Sequence, residues 1–254
     1  NIYIFVADSQ ELKEYTRELE KCTIIENIKD SICMVVGVPG LVTQRNFIIN
    51  WFKPNQHIVS MDDDVDNVYK LDKSGTKIIN ANAELHSIIN TGFAELEKRG
   101  DVYLWGVNPT DNPRFMSHKT TDDLKFIVGP LYGIINRKDM QLTTPAKNNV
   151  ERTLMHYKRD GKVLRMNYIG IQTRYYKNEG GLQAVDVGEQ RREKADAAAK
   201  YLHEKYPEYT DIKYTKKNKW PELKLINKTV KAVKAGKARK TSKAGKAKKI
   251  ASEE

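Results

Sequence analysis

Three consecutive carboxylates, Asp62-Asp63-Asp64, follow directly on the apolar run His57-Ile58-Val59-Ser60-Met61. In an open α/β sheet, ligands bind beyond the carboxyl ends of strands, so a triplet there makes a strongly negative pocket unless a cation is present. On extended backbone, residues 62 and 64 point to the same side. Two carboxylates so placed, completed by waters and phosphate oxygens, suit Mn²⁺ or Mg²⁺. Such an ion can hold a diphosphate and stabilise its charge as it leaves. The competing reading is a solvated acidic turn, the commoner origin of an isolated triplet; the buried strand in front of it favours the metal. Upstream, Arg45 and Asn46 lie in Val38-Pro39-Gly40-Leu41-Val42-Thr43-Gln44-Arg45-Asn46. A helix starting after a Pro-Gly turn at the same sheet edge can present an arginine to a nucleotide or a carboxylate. Taken alone, Arg45 would read as a surface residue.

The remaining chemical groups carry weaker signals. His57, His86, His118, His156 and His203 include no pair at the i, i+4 spacing of a helical zinc site. Cys22 and Cys33 can make neither a disulfide scaffold nor a four-thiolate site, and are expected in or near the core. Trp51 and Trp105 are expected as core aromatics, Trp105 with the alternative of stacking on a base or sugar. Asp122-Asp123 reads as a solvated loop. Glu179 and Asp186, flanking the Gly180-Gly181 pair, are reserve acidic candidates.

The elements that must position these groups follow from periodicity. Residues 1–7, 31–36 and 57–61 read as short buried strands, and 10–21 and 41–52 as helices, the second stopped by Pro54. Strand, helix, strand, helix, strand predicts a βαβ unit and an α/β fold with a mixed, mostly parallel sheet flanked by helices. Further helices are predicted over 83–98, 150–158 and 190–205, and strands over 102–107 and 163–172. Residues 126–135 are apolar but broken by Gly129, Pro130 and Gly133.

Across 254 residues the net charge is +11, yet from Lys224 onward eleven Lys/Arg face two Glu, so the tail holds +9 of it. This predicts a near-neutral domain over 1–223 and a lysine-rich tail over 224–254 that meets a polyanion, disordered or helical only when bound over 230–254. Lys231, Lys234, Lys237, Arg239, Lys240, Lys243, Lys246, Lys248 and Lys249 would neutralise DNA phosphates without reading bases. A solubilising tail or a localisation signal is the alternative. No run approaches the roughly 18 apolar residues of a membrane span, and no signal-peptide pattern opens the chain. A soluble, intracellular protein is expected, with no membrane partner. The start at Asn1 suggests a processed product or a piece of something longer.

Val38-Pro39-Gly40, Gln44-Arg45-Asn46 and Ile58-Val59-Ser60-Met61-Asp62-Asp63-Asp64-Val65 together resemble the nucleotide-sugar glycosyltransferases of the GT-A fold. The order of segments is most similar to the TET-associated glycosyltransferases of phages, thought to act on hydroxymethylated pyrimidines in DNA. The further matching segments are Gly129-Pro130-Leu131-Tyr132-Gly133, Asn149-Val150-Glu151-Arg152-Thr153-Leu154, Val163-Leu164-Arg165-Met166-Asn167-Tyr168, Tyr175-Tyr176 and Gly180-Gly181-Leu182-Gln183, so the likeness spans roughly residues 1–210. The resemblance implies a Rossmann-type GT-A domain in which Asp62 and Asp64 bind Mn²⁺ or Mg²⁺. Asp63 would face the nucleotide or its ribose, Arg45 would brace the nucleotide side, and 129–133 would form a wall near the acceptor. It also implies an acidic base near Asn149. An amide cannot accept the acceptor's proton, and Glu151 is the nearest carboxylate on that helix.

The resulting expectation is a metal-dependent hexosyltransferase. It would move a sugar from a nucleotide-sugar, UDP-glucose first, to a hydroxyl of a 5-hydroxymethylcytosine-like base in DNA. The location would be the cytoplasm of a phage- or virus-infected cell, or a nucleus. A nucleotidyltransferase using the same carboxylates, and a non-catalytic DNA-binding protein on a transferase scaffold, are the alternatives.

Overall fold

Short apolar runs closed by glycine, proline and side-chain caps set the element order. In the computed structural model, which describes residues 1–174, 189–214 and 221–227, β1 (Ile2–Val6) leads into helix α1 (Ser9–Lys21). Asp8 caps α1 by accepting from the Gln10 and Glu11 N–H groups at 2.8 and 2.9 Å. A 3-10 stretch (Thr23–Ser31) and β2 (Ile32–Val36) follow. Helix α2 (Leu41–Trp51) starts after Gly40, whose φ of 92° is open to glycine and strained for other residues. Then come β3 (His57–Met61), β4 (Val65–Leu71), β5 (Ile78–Asn80), α3 (Leu85–Arg99), β6 (Leu104–Asn108), β7 (Thr120–Thr121), β8 (Leu131–Ile135), α4 (Asn148–Asp160), β9 (Leu164–Thr173), α5 (Glu189–Lys205), β10 (Thr210–Tyr214) and β11 (Pro221–Leu225).

The fold is mixed α/β, with a mixed sheet flanked by helices. The expected mostly parallel sheet needs correction. Strands β1 and β2 pair in parallel as a separate two-stranded sheet. The main sheet runs β3-β8-β6-β9-β4-β5, with β7 on β9. Within it only β6–β9 is parallel. The reason is topological: β8 inserts antiparallel between β3 and β6, and β4 and β5 form a hairpin beside β9. Neither β4 nor β5 was expected. The buried residues of β4 are Val68 and Leu71, three apart, and its other residues are half-buried, so the period-2 signal of a strand is missing. The register against β9 also shifts between Val65 and Asn67.

Alternation along the central strands separates two cores. On one face Leu131, Trp105, Val107, Leu164 and Met166 pack with Ile88, Phe93 and Leu96 of α3. On the other, Tyr132, Ile134, Leu104 and Ile58 pack with Phe52 and Val163, backed by Tyr3, Phe5, Ile48 and Tyr157. Trp105 is 0% exposed, so it can stack on no ligand, while Trp51, expected in the core, is 52% exposed against Phe5 and Phe47. Gly92 and Gly133 lie against the Trp105 indole; a Cβ on Gly92 would come within 2.6 Å of it, and one on Gly133 would overlap it. Cys22 and Cys33 are unpaired and half-buried.

The chain divides into two compact units, 1–198 and 199–254. In the second, Leu202, Tyr206 and Thr210 are buried, Thr210 Oγ1 donates to the Tyr206 carbonyl at 2.8 Å, and β10 and β11 form an antiparallel pair. Strand β11 runs through Leu225, across the division expected at 223/224. No helix among the described residues is long and apolar enough to cross a membrane. The basic positions of the tail, 228–254, and the segment with Glu179, Gly180, Gly181 and Asp186 lie outside the described residues.

Gly133→Ala is expected to destabilise the protein by about 1–3 kcal/mol through overpacking against Trp105. Urea denaturation measures it, and a loss below about 0.5 kcal/mol would mean that the indole moves aside without cost.

Candidate functional site

Three consecutive residues of α2 reach three different places. Gln44 accepts from Val38 N–H at 2.9 Å and donates to the Val6 carbonyl at 3.2 Å, tying together the ends of β1 and β2. Asn46 makes a two-way bond with Leu142, donating to its carbonyl at 2.9 Å and accepting from its N–H at 2.8 Å. Arg45, buried between them, donates from Nη1 to Asn149 Oδ1 at 2.7 Å and to Asn148 Oδ1, and its Nη2 lies 3.6 Å from Asp62 Oδ1. Arg45 therefore does reach the acidic triplet. The helix periodicity gave no sign that Gln44 and Asn46 would anchor it.

The triplet does not continue the strand. Val65 N–H donates to the Asp62 carbonyl at 3.4 Å, so residues 62–65 form a turn and the extended spacing expected for Asp62 and Asp64 is absent. Asp62 N–H donates to the Pro130 carbonyl at 3.0 Å, which joins the turn to the 126–130 loop before β8. Asp63 accepts from the Tyr15 hydroxyl of α1 at 3.2 Å. Arg174 N–H donates to the Asp64 carbonyl at 2.9 Å, and its guanidinium pairs with Asp66.

Asp64 Oδ1 is buried and has no hydrogen-bond partner. Burial, then the charges of Asp62 and Asp63, push its carboxyl above the ordinary range. An orphaned, electrostatically strained carboxylate oxygen is what a bound cation would satisfy. A divalent ion there could be held by Asp64, with Asp62 in the same turn, the other ligands coming from water and phosphate. Among the described residues, no group of three His, Cys, Asp or Glu could hold an ion unaided.

The first turns of α4 close the other side. Gly129 makes room for the Asn149 side chain, which a Cβ there would meet at 2.5 Å. Asn149 is thus engaged with Arg45. Glu151 is 0% exposed and accepts from the Thr143 and Thr144 N–H groups at 2.8 and 3.0 Å and from the Thr143 hydroxyl. Its carboxylate anchors the loop before α4 and faces no substrate space. The sequence pointed to Glu151 because it was the nearest acid; its enclosure was not legible there. The next residue, Arg152, lies over the Tyr132 ring with its guanidinium carbon 3.4 Å from the centroid. Burial pushes the Tyr132 phenol up, but the charges of Arg152 and Arg45 and a bond from Ser60 outweigh this and hold it below its usual value. Tyr132 was expected only as part of the 129–133 wall, and Arg152 was given no role from sequence.

The histidines stay apart from the triplet: His57 stacks on Phe93 at 4.3 Å, His86 lies beside Asn90, and His203 bonds to Thr210. His156 is buried and pushed down to about 3, chiefly by burial, so it is neutral.

Asp64→Asn tests the strain. A carboxyl whose folded pKa lies above its unfolded value costs stability once ionised. The cost is complete above the folded pKa and disappears below the unfolded one. The amide variant is expected to melt higher than wild type at about pH 7 and to lose that advantage at about pH 3. Identical melting curves at both would show that Asp64 is solvated.

No family model matches this sequence, and no curated protein or solved structure does either, so the site stands on its own chemistry.

Proposed function

We propose that the chain is a metal-dependent hexosyltransferase of the GT-A type. It takes a UDP-sugar, UDP-glucose first, and glycosylates the hydroxyl of a 5-hydroxymethylcytosine-like base in DNA. The observation that carries this reading is the carboxylate turn at the end of β3, with the Asp64 oxygen unpartnered and Arg45 held beside Asp62. The acceptor class rests on the resemblance of the ordered segments and on the +9 tail, a ready polyanion contact.

When bound, the divalent ion supplies charge stabilisation for the leaving diphosphate. The chain's own residues do the rest. Arg45, fixed by Asn148 and Asn149, presents its Nη2 edge on the Asp62 side. Tyr15 orients Asp63. No acid of α4 is free to take the acceptor proton, since position 149 is an amide, Glu151 is enclosed and Asp160 is paired with Arg137 at 2.6 Å, so the proton would pass to a phosphate oxygen of the departing diphosphate.

That last point favours a second reading, a DNA-binding protein on a transferase scaffold. One experiment separates the two. Hydroxymethylcytosine DNA is incubated with UDP-sugars and Mn²⁺, and its intact mass is measured. A gain of one hexose is expected, with turnover falling roughly a hundredfold or more for Asp62→Asn with Asp64→Asn. Tight DNA binding with no mass gain from any donor favours the scaffold reading and sinks the transferase. A chain ending at Asn227, which keeps β11 whole, is expected to bind DNA more weakly and with a flatter salt slope while cleaving donor at the full rate.

A further inference from the structure

Arg152 is a buried charge with no carboxylate paired to it among the described residues. It is 5% exposed, its Nη2 donates to the Val128 carbonyl at 3.2 Å, and its Nε and Nη1 are enclosed with no hydrogen-bond partner. The acids of α4 are committed elsewhere, Glu151 to Thr143 and Thr144 and Asp160 to Arg137. Burial lowers the guanidinium only to about 10, so it stays cationic at neutral pH. The groups that act on its charge are the Tyr132 phenol, which favours it, Arg45, which opposes it, and Asp62, which favours it. Arg45 is itself held by two neutral amides and meets Asp62 only at 3.6 Å. Two buried guanidiniums that oppose one another are therefore offset by a phenol and by a single carboxylate at 3.6 Å from one of them. An uncompensated buried charge is costly, and a hydrophobic side chain of similar size would fold as well or better.

We propose that Arg152 is a built-in countercharge for a diphosphate: from behind the Tyr132 ring it supplies, together with Arg45, a metal-independent share of the affinity for that group at the Asp62 end of β3. The diphosphate is that of the donor, so the inference rests on the glycosyltransferase reading. Because its Nε and Nη1 are sealed, Arg152 acts through its field, which a low-dielectric surrounding transmits strongly. It is a positioning residue, and the edge that meets the ligand belongs to Arg45. The charge balance supports this. With no ion present, three carboxylates and two guanidiniums leave one net negative charge, and without Arg152 they would leave two, so Arg152 halves the charge that opposes a diphosphate.

The test uses the full chain and inorganic pyrophosphate in calorimetry, with EDTA present. Wild type is expected to bind, and Arg152→Met to bind on the order of tenfold more weakly or worse. The ligand-free melting temperature of Arg152→Met should be unchanged or higher, since an apolar side chain replaces an unpaired buried charge. A merely structural arginine would give the reverse, a lower melting temperature with pyrophosphate binding intact, and that result overturns the proposal. So does wild type that binds pyrophosphate only with metal. Arg152→Lys keeps the charge and should retain most of the binding; its loss in a folded protein also overturns it. If Arg152→Met does not fold, this variant carries the test alone. Failure of hexose transfer with these pyrophosphate results intact would sink the transferase reading and leave Arg152 as an anion countercharge.

Discussion

The arrangement of this protein hangs on how one buried arginine is satisfied. A guanidinium withdrawn from water must find acceptors, and those of Arg45 lie on α4 and at the end of β3. Successive helical residues project about 100° apart, so meeting that demand also fixes where the neighbours of Arg45 point. Gln44 faces the ends of β1 and β2, and Asn46 faces the 142 segment. Glu151 then anchors the same segment to α4 through Thr143 and Thr144. The ring of bonds runs from α2 through the loop to α4 and back to Arg45. It sets the distance between the acidic turn and the helix opposite, and most of its members have no chemical role of their own.

The sheet explains why the acids stand where they do. Strand β8 lies antiparallel against both β3 and β6, so the loop entering β8 meets the turn leaving β3. Pro130 offers its carbonyl to Asp62 N–H there. Gly129 in the same loop admits Asn149, and Gly133 two residues into β8 admits Trp105. The two glycines of one short segment thus serve opposite faces, one at the site and one in the α3 core. The segment reads as a broken apolar run because close approach by large side chains, rather than a turn, requires those glycines.

Much of this could be seen in the residues. Strands at 2–6, 32–36 and 57–61 and the helices over 9–21, 41–51 and 85–99 are locally determined, with a clear period and clear stops, and the structure has them. Long-range pairing was not legible. Nothing local says that β8 will insert between β3 and β6, and the bulged β4 lacks alternation, so sheet polarity came out wrong. At the site, Arg45 and the triplet were recognisable by residue type, and the structure brings Arg45 and Asp62 within 3.6 Å. Burial and saturation were not. Glu151 was singled out only as the carboxylate nearest Asn149, and Arg152 carried no signal of its own. Enclosure depends on elements far apart in the chain, which periodicity does not report.

The amides at 148 and 149 change the character of the site more than their size suggests. A carboxylate at either position would form an ion pair with Arg45, neutralise it and leave the acidic turn as the dominant field. An amide accepts the same hydrogen bond without supplying charge. Arg45 is therefore oriented but not neutralised, and its positive field, reinforced by Arg152, remains to oppose that of the three aspartates. A site with separated regions of opposite sign suits a ligand that is itself divided, an anion joined to a cation or to a neutral group. A diphosphate seated with a metal ion is such a ligand. One residue type thus has two consequences: an amide at 149 offers no proton acceptor, and it leaves the charge of Arg45 available to an anion.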